Sequence, residues 1–148
     1  NPNLITEAAK LFGSQSIVAS IDAKKTNKGY ECAVVDGNEL VNITPIELAK
    51  KAENLGAGEI IINSIDQDGM MHGYDIELVK NVVDSVNIPV TAIGGASGID
   101  DLKKVLYEGH AHAAAGGSMF VYYGRLKAVL ITAPSEKELI QAGIYKEV

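Results

Sequence analysis

Two acids follow short apolar runs in this chain. Asp22 lies in Ser20-Ile21-Asp22-Ala23-Lys24 and Asp68 in Ser64-Ile65-Asp66-Gln67-Asp68-Gly69, after the runs 17–19 and 60–62. Each motif opens a polar, glycine-containing segment that leads to a helix. A short apolar run bounded by turn residues fits a strand buried on both faces, and helical segments alternating with such runs imply a parallel sheet. In that architecture ligands and catalytic groups collect at the C-terminal ends of the strands. Asp22 at a strand end could then serve as a general acid or base, or simply pair with Lys24 or face solvent. Asp68-Gly69 could hydrogen-bond substrate hydroxyls, or form an ordinary Asx-type turn.

The most specific feature is a pair of glycine motifs at successive strand ends, Gly94-Gly95 and Gly117-Ser118. Glycine lets the backbone approach a ligand closely, free amides in succession form an anion cradle, and a following helix N-terminus adds partial positive charge. That combination points to phosphate, the alternative being that these glycines simply turn the chain. Glu59 starts its strand and so belongs to the opposite, N-terminal face, where such a residue usually contributes only stability. Phe120, Tyr122 and Tyr123 read as packing residues.

The elements that must position these groups follow from local signals. Asn3 is expected to cap a helix over 4–12, which Gly13 ends, and the first strand is expected over 16–21. Residues 22–40 read as a polar excursion over the strand ends, with Asp36-Gly37 turning a hairpin between 31–35 and 39–41. Thr44-Pro45-Ile46-Glu47 combines an N-cap, a proline at the first helical position and a capping-box acid, giving a helix to about residue 55. Strands over 59–64, 90–93 and 111–115 alternate with helices over 76–86, capped by Asp75, and 99–107. A second capping box, Ser135-Glu136-Lys137-Glu138, starts a final helix that Gly143 ends. The order is α-βα-βα-βα-βα. Four strands cannot close a barrel, and an eight-stranded (β/α) barrel takes about 250 residues, so the chain has the size of half of one plus a preceding helix.

Composition narrows the function classes. The 148 residues suit a single domain, residues 1–148, with 47% hydrophobic and 22% charged residues, values typical of globular chains. Lys and Arg number 13 against 19 Asp and Glu, a net charge of −6 with no dense basic block, which argues against nucleic acid as a partner. No apolar run approaches the roughly 20 residues of a membrane span. Cys32 is the single cysteine, so no intrachain disulfide forms and a cytoplasmic setting is expected. His72, His110 and His112 lack the spacing of a metal site and read as surface or turn histidines. The start at Asn1-Pro2 reads as the middle of something longer.

Taken together these motifs resemble the C-terminal half of the cyclase subunit of imidazole glycerol phosphate synthase, a (β/α) barrel of the histidine pathway. The resemblance rests on Phe12-Gly13-Ser14-Gln15, the two acidic motifs above, Gly56-Ala57-Gly58-Glu59-Ile60, Gly73-Tyr74-Asp75 and Gly94-Gly95-Ala96. It implies that Asp22 is one of two catalytic aspartates, the other lying in an N-terminal half that this chain lacks. It implies that Gly94, Gly95, Gly117 and Ser118 form one of two phosphate sites for a long bis-phosphate substrate. Asp68 and Gly69 match the substrate-side loop, with Asn63 beside it, and Glu59 matches a member of the gate admitting ammonia from a glutaminase subunit. No metal or organic cofactor is implied. The missing partner would be the N-terminal half-barrel or a second copy of this chain.

Several positions depart from that family pattern. Asn63 stands where a small Ser or Thr is usual, Ile93 where Ser precedes the glycines, and Gly116-Gly117 where two alanines are usual. From Val121 to Ile131 the sequence looks like the paralogues found with surface-polysaccharide genes, which supply ammonia for an amidino group on a nucleotide-linked sugar. The resemblance therefore implies an ammonia-using synthase subunit for one of these two substrates. A reading from a different class is a non-catalytic phosphate-binding half-barrel.

Overall fold

The computed structural model describes residues 1–35, 37–124 and 126–146. Its centre is a six-stranded sheet in which β1 (Val18–Thr26), β4 (Glu59–Ser64), β5 (Val90–Ile93) and β6 (Ala113–Ala114) run parallel, in chain order across the sheet. The hairpin strands β2 (Gly29–Val34) and β3 (Glu39–Leu40) continue it antiparallel beyond β1. Helices α2 (Pro45–Leu55), α3 (Ile76–Val83) and α4 (Ile99–Tyr107) fill the connections between the parallel strands. They pack in sequence along the sheet, α2 on β1 and β4, α3 on β4 and β5, and α4 on β6.

Local chemistry explains where these helices start. Thr44 Oγ1 accepts from the Glu47 N–H (3.2 Å) while Glu47 Oε2 accepts from the Thr44 N–H (2.9 Å), closing the expected capping box with Pro45 at the first helical position. Ser135 and Glu138 repeat that box for α6 (Glu136–Gln141). Asp75 Oδ1 accepts from the Leu78 N–H (3.0 Å) and caps α3. Asn3, by contrast, is the first residue of α1 (Asn3–Phe12) and caps nothing; Pro2 holds the N-cap position without a side-chain bond. Helix α3 also stops at Val83, short of Val86.

Alternation along the strands divides the sheet into two unlike faces. Ile21, Ala23, Ile60, Ile62, Val90 and Ala92 are buried beneath the helices and form the core with Leu78, Val82 and Val105, and Ser64 is buried on the same face. On the other face Ser20 is exposed and Asp22, Ile61, Asn63, Thr91 and Ile93 are only half-buried. Strands buried on both faces were expected; here one face lacks a covering layer, because four parallel strands make half of a barrel wall. The register sets layers across this open face. Ser20, Ile61 and Thr91 share one, and Asp22, Asn63 and Ile93 share the next.

The first strand differs most from expectation. It starts at Val18, after a 3-10 turn at Ser14–Ser16, and runs past Asp22 to Thr26. Residues 22–34 are therefore a hairpin, not a loose excursion. Thr26 Oγ1 accepts from the Lys28 N–H (3.1 Å) and donates to the Gly29 carbonyl (3.0 Å), closing its turn. The one expected hairpin is present as β2 and β3, though Asp36 of its Asp36-Gly37 turn lies outside the described residues. The fourth parallel strand is shorter than 111–115. After α5 (Ser118–Val121), strands β7 (Tyr122–Tyr123) and β8 (Ala128–Val129) form an unforeseen hairpin, whose Arg125 also lies outside the described residues. Tyr122 and Tyr123 are exposed on it and are not packing residues.

A polar clamp holds the first hairpin against α3. The Tyr30 hydroxyl donates to Asp75 Oδ1 (2.9 Å), and Lys25 Nζ pairs with Glu77 Oε2 (3.1 Å). Burial, with the Asp75 bond behind it, pushes the Tyr30 hydroxyl up to about 12, against 10.0 for a free tyrosine. The unfolded chain thus loses this proton first, so the stabilisation is complete below about pH 10 and disappears as pH rises towards 12. Lys25, raised chiefly by its Glu77 bond, adds to the same alkaline loss. Denaturant melts should show Tyr30→Phe less stable at pH 7 by about 0.5–1.5 kcal/mol, the worth of one hydrogen bond. The variant should also lose less stability than the parent between pH 10 and 12; equal alkaline slopes would place the titrating group elsewhere.

Candidate functional site

The parallel register places Asp22 and Asn63 side by side on the open face, near the C-terminal ends of β4 and β5. Asn63 Nδ2 donates to Asp22 Oδ1 at 3.0 Å. The carboxylate is thus held by an amide on the neighbouring strand and not by Lys24; among the described residues the one ion pair is Lys25 with Glu77. Asp22 sits within a strand, four residues before its end, rather than at the terminus. It still reaches the functional end of the sheet, because β1 overshoots its parallel neighbours to pair with β2. Asn63 Oδ1 is buried without a hydrogen-bond partner among the described residues and lies against Gly94.

Next to this layer is a cavity of about 130 Å3. Its walls bring together Gly94 and Gly95 from the connection after β5, Gly117 and Ser118 from the connection after β6, and Asp68 and Gly69 from the connection after β4. Six residues singled out from three separate stretches of sequence therefore meet at one point. The backbone N–H groups of Gly95, Ala96, Gly117 and Ser118 have no acceptor among the described residues. Unpartnered amides on residues that line a small concavity are available as donors to an anion. Asp68 is exposed at the rim, and among the described residues no Lys or Arg lines the walls, so the donors the walls offer an anion are main-chain amides and the Ser118 hydroxyl.

Glycine is required here by contact as well as by conformation. Gly94 and Gly95 have φ of 93° and 105°, in the left-handed region that disfavours other residues. A Cβ on Gly94 would stand 2.7 Å from Asn63 Oδ1, and one on Gly95 would collide with the Gly73 carbonyl oxygen. That collision arises because two connections cross at this point, the Gly73 N–H donating to the Gly95 carbonyl at 2.8 Å. The buried Tyr74 then ties the first connection to the next strand, its hydroxyl donating to the Ala115 carbonyl at 2.7 Å.

Glu59 is at the other end of the sheet. It begins β4, four residues from Asn63 on the same face, which is about 13 Å at the rise of a strand. Thr91 Oγ1 donates to Glu59 Oε1 at 2.6 Å, with Ile61 and Ser20 on the face between the two polar ends. Sequence reasoning did not identify Met71, Ile93 or Ala96 as cavity walls. Met71 has no sequence signal, since its place depends on a left-handed backbone, φ 57°, in the middle of a loop. The histidines are exposed as expected, His112 Nδ1 accepting from the Val90 N–H at 3.2 Å.

This geometry makes Gly95→Ala a sharp test of the cavity. Strain and the collision with Gly73 should displace both connections and weaken inorganic phosphate binding at least about tenfold, the equivalent of 1.4 kcal/mol. Calorimetric titration would measure it, and unchanged affinity would show that phosphate binds elsewhere.

Comparison with known proteins places this architecture in a family. The model of the family described as histidine biosynthesis protein matches residues 1–127. A Vibrio vulnificus protein provisionally named imidazole glycerol phosphate synthase subunit hisF3 is 42% identical over 140 residues, which is 93% of this chain and 54% of the relative. Imidazole glycerol phosphate synthase subunit HisF of Lactococcus lactis is 40% identical over 99% of this chain and 57% of its own length. The same-named subunit of Alkaliphilus metalliredigens is 42% identical over 82% and 49%. The chain spans about half the length of the curated relatives it matches. With its parallel strands, layered helices and open inner face, it belongs to the histidine biosynthesis protein family, as a HisF-like half of a (β/α)8 barrel.

Proposed function

We propose that residues 1–148 form, as one domain, the C-terminal half of an ammonia-dependent cyclase of the imidazole glycerol phosphate synthase type, acting on a phosphorylated ribonucleotide. The observation that carries this reading is the convergence of Gly94, Gly95, Gly117 and Ser118 on one cavity beside the layer of Asp22. Names of the relatives point the same way.

In this reading the free amides at Gly95, Gly117 and Ser118 grip one phosphate of the substrate, and Asp68 with Gly69 meets its hydroxyls at the rim. Gly94 lets the chain turn without displacing Asn63. Asp22 moves protons during ammonia addition, cleavage and ring closure, and the Asn63 amide keeps its carboxylate aimed at the open face. A second catalytic acid and a second phosphate site belong to the half of the barrel not present here, and supplying that half or a second copy of this chain would cover the open face. Glu59, steered by Thr91, belongs to the ammonia entrance, with a glutaminase subunit docked on the N-terminal end. No step calls on a metal or organic cofactor.

A second reading follows from the segment after Phe120. It departs from the histidine-pathway pattern and folds as the β7–β8 hairpin beside the glycine cavity. The same ammonia-supplying half-barrel would then serve amidino-sugar formation for surface polysaccharide. A non-catalytic phosphate-binding half-barrel is the third possibility.

Activity separates these readings. The complete gene product should consume the histidine-pathway bis-phosphate ribonucleotide with ammonia as nitrogen donor. Asp22→Asn, which keeps an acceptor for Asn63, should lower turnover by about 10²-fold or more if Asp22 transfers protons, with phosphate affinity unchanged. Turnover unaffected by the substitution would remove the catalytic role from Asp22. Phosphate binding without any turnover of this compound would favour the amidino-sugar route or the binding-only reading.

A further inference from the structure

At the N-terminal end of the open face the partner chosen by Glu59 is not the one its place in the sheet would suggest. Glu59 begins β4 opposite Val18 of β1, and one residue before the Ile60–Val90 pair, so that Pro89 flanks it on the other side. At its own level it therefore meets an aliphatic side chain and a proline, which has no N–H to give. Among the described residues Glu59 has no cationic partner either.

Its side chain instead reaches one layer inward. Thr91 Oγ1 donates to Glu59 Oε1 at 2.6 Å, and Thr91 pairs with Ile61, two residues further along β4. The carboxylate thus leans along the face towards the layer of Asp22, rather than projecting off the edge of the sheet. A hydroxyl bonded to an ionised acid at this length is a charge-assisted contact, stronger than a neutral one. Both residues are half-buried, which limits competition from water.

The second carboxylate oxygen is left for something else. Among the described residues Oε2 has no hydrogen-bond partner, and the one buried side-chain atom without a partner is Asn63 Oδ1, so Oε2 keeps access to solvent. Ser20 and Ile61 share the layer of Thr91, and Asp22 and Asn63 stand in the next, about 7 Å on at the rise of a strand. An acceptor turned inward at this point suits a small donor of N–H bonds that is travelling along the face.

We propose that Thr91 is a positioning residue of the ammonia entrance: it draws the Glu59 carboxylate one layer inward, leaving the edge of the sheet clear and presenting Oε2 to incoming ammonia on the inner side. The inference rests on the ammonia-using reading of this chain and deepens it. An acid held in this way is withdrawn from the rim, so this half of the barrel does not close the entrance with it.

The test is ammonia-dependent consumption of the histidine-pathway bis-phosphate ribonucleotide by the complete gene product, with ammonium chloride varied at fixed pH. Thr91→Val, which keeps the shape and removes the hydroxyl, should raise the KM for ammonia about fivefold or more, in keeping with the loss of one hydrogen bond, while kcat at saturating ammonia and the KM for the bis-phosphate stay as in the parent. Thr91→Ser should restore the parent KM. In a Glu59→Ala background Thr91→Val should change the KM for ammonia no further, because the hydroxyl acts through that acid. An unchanged KM for ammonia in Thr91→Val would overturn the proposal and leave the ammonia reading standing. So would a parallel loss in kcat and in bis-phosphate KM, which marks general damage to the sheet, or a full second effect in the Glu59→Ala background. If the folded parent consumes no bis-phosphate with ammonia, the reading of the entrance falls and this inference falls with it.

Discussion

Parallel pairing of β1, β4 and β5 in a single register is the constraint on which the site depends. Side chains of a strand alternate between faces, so a slip of one residue would send Asp22 and Asn63 under the helices and bring Ile21 and Ile62 out. The buried set guards against this. Ile21, Ile60, Ile62, Val90 and Ala92 fill the space beneath α2 and α3; moving any of these strands would expose apolar surface, and moving β1 would bury the Asp22 carboxylate as well. The chemistry of the open face is thus positioned by packing on the opposite side of the same strands.

The connections add a second level of positioning. Three different crossovers must meet to form the cradle, and each is fixed by a bond to another. Gly73 meets Gly95, Tyr74 reaches Ala115, and Asp66 Oδ2 accepts from the Lys25 N–H at 2.8 Å, which joins the first hairpin to the connection after β4. None of these contacts involves a charged pair, so their geometry is insensitive to ionic strength. The hairpin clamp of Tyr30 and Asp75 has the same effect at the rim, because the residue that caps α3 also anchors β2.

Much of this was legible in the sequence because it is written in local signals. Capping boxes at Thr44 and Ser135, the cap at Asp75 and the apolar periods of the helices and strands are each contained within a few residues. The grouping of Gly94, Gly95, Gly117 and Ser118 was also legible, since a parallel sheet necessarily brings its strand C-termini together. What escaped was non-local or masked by composition. The β1–β2 hairpin is built from lysines, threonine and glutamate, whose polarity concealed an extended strand, and so Asp22 was placed at a terminus it does not occupy. The partnership of Asp22 with Asn63 depends on register between strands 41 residues apart, which no window of sequence shows. The exposure of the inner face depends on residues that are not in this chain.

The bond between Gly73 and Gly95 has a further consequence for how this scaffold can diversify. It splices two crossovers into one unit with no room for a side chain, so insertions or enlargements in either would have to unmake the glycine corner. Among the described residues, the segment beyond Phe120 carries no such splice and contributes no fully buried residue to the core. Lineages sharing the barrel wall can therefore rewrite that terminal stretch freely while inheriting the glycine corner unchanged, and recognition of new ligands would be expected to evolve there first.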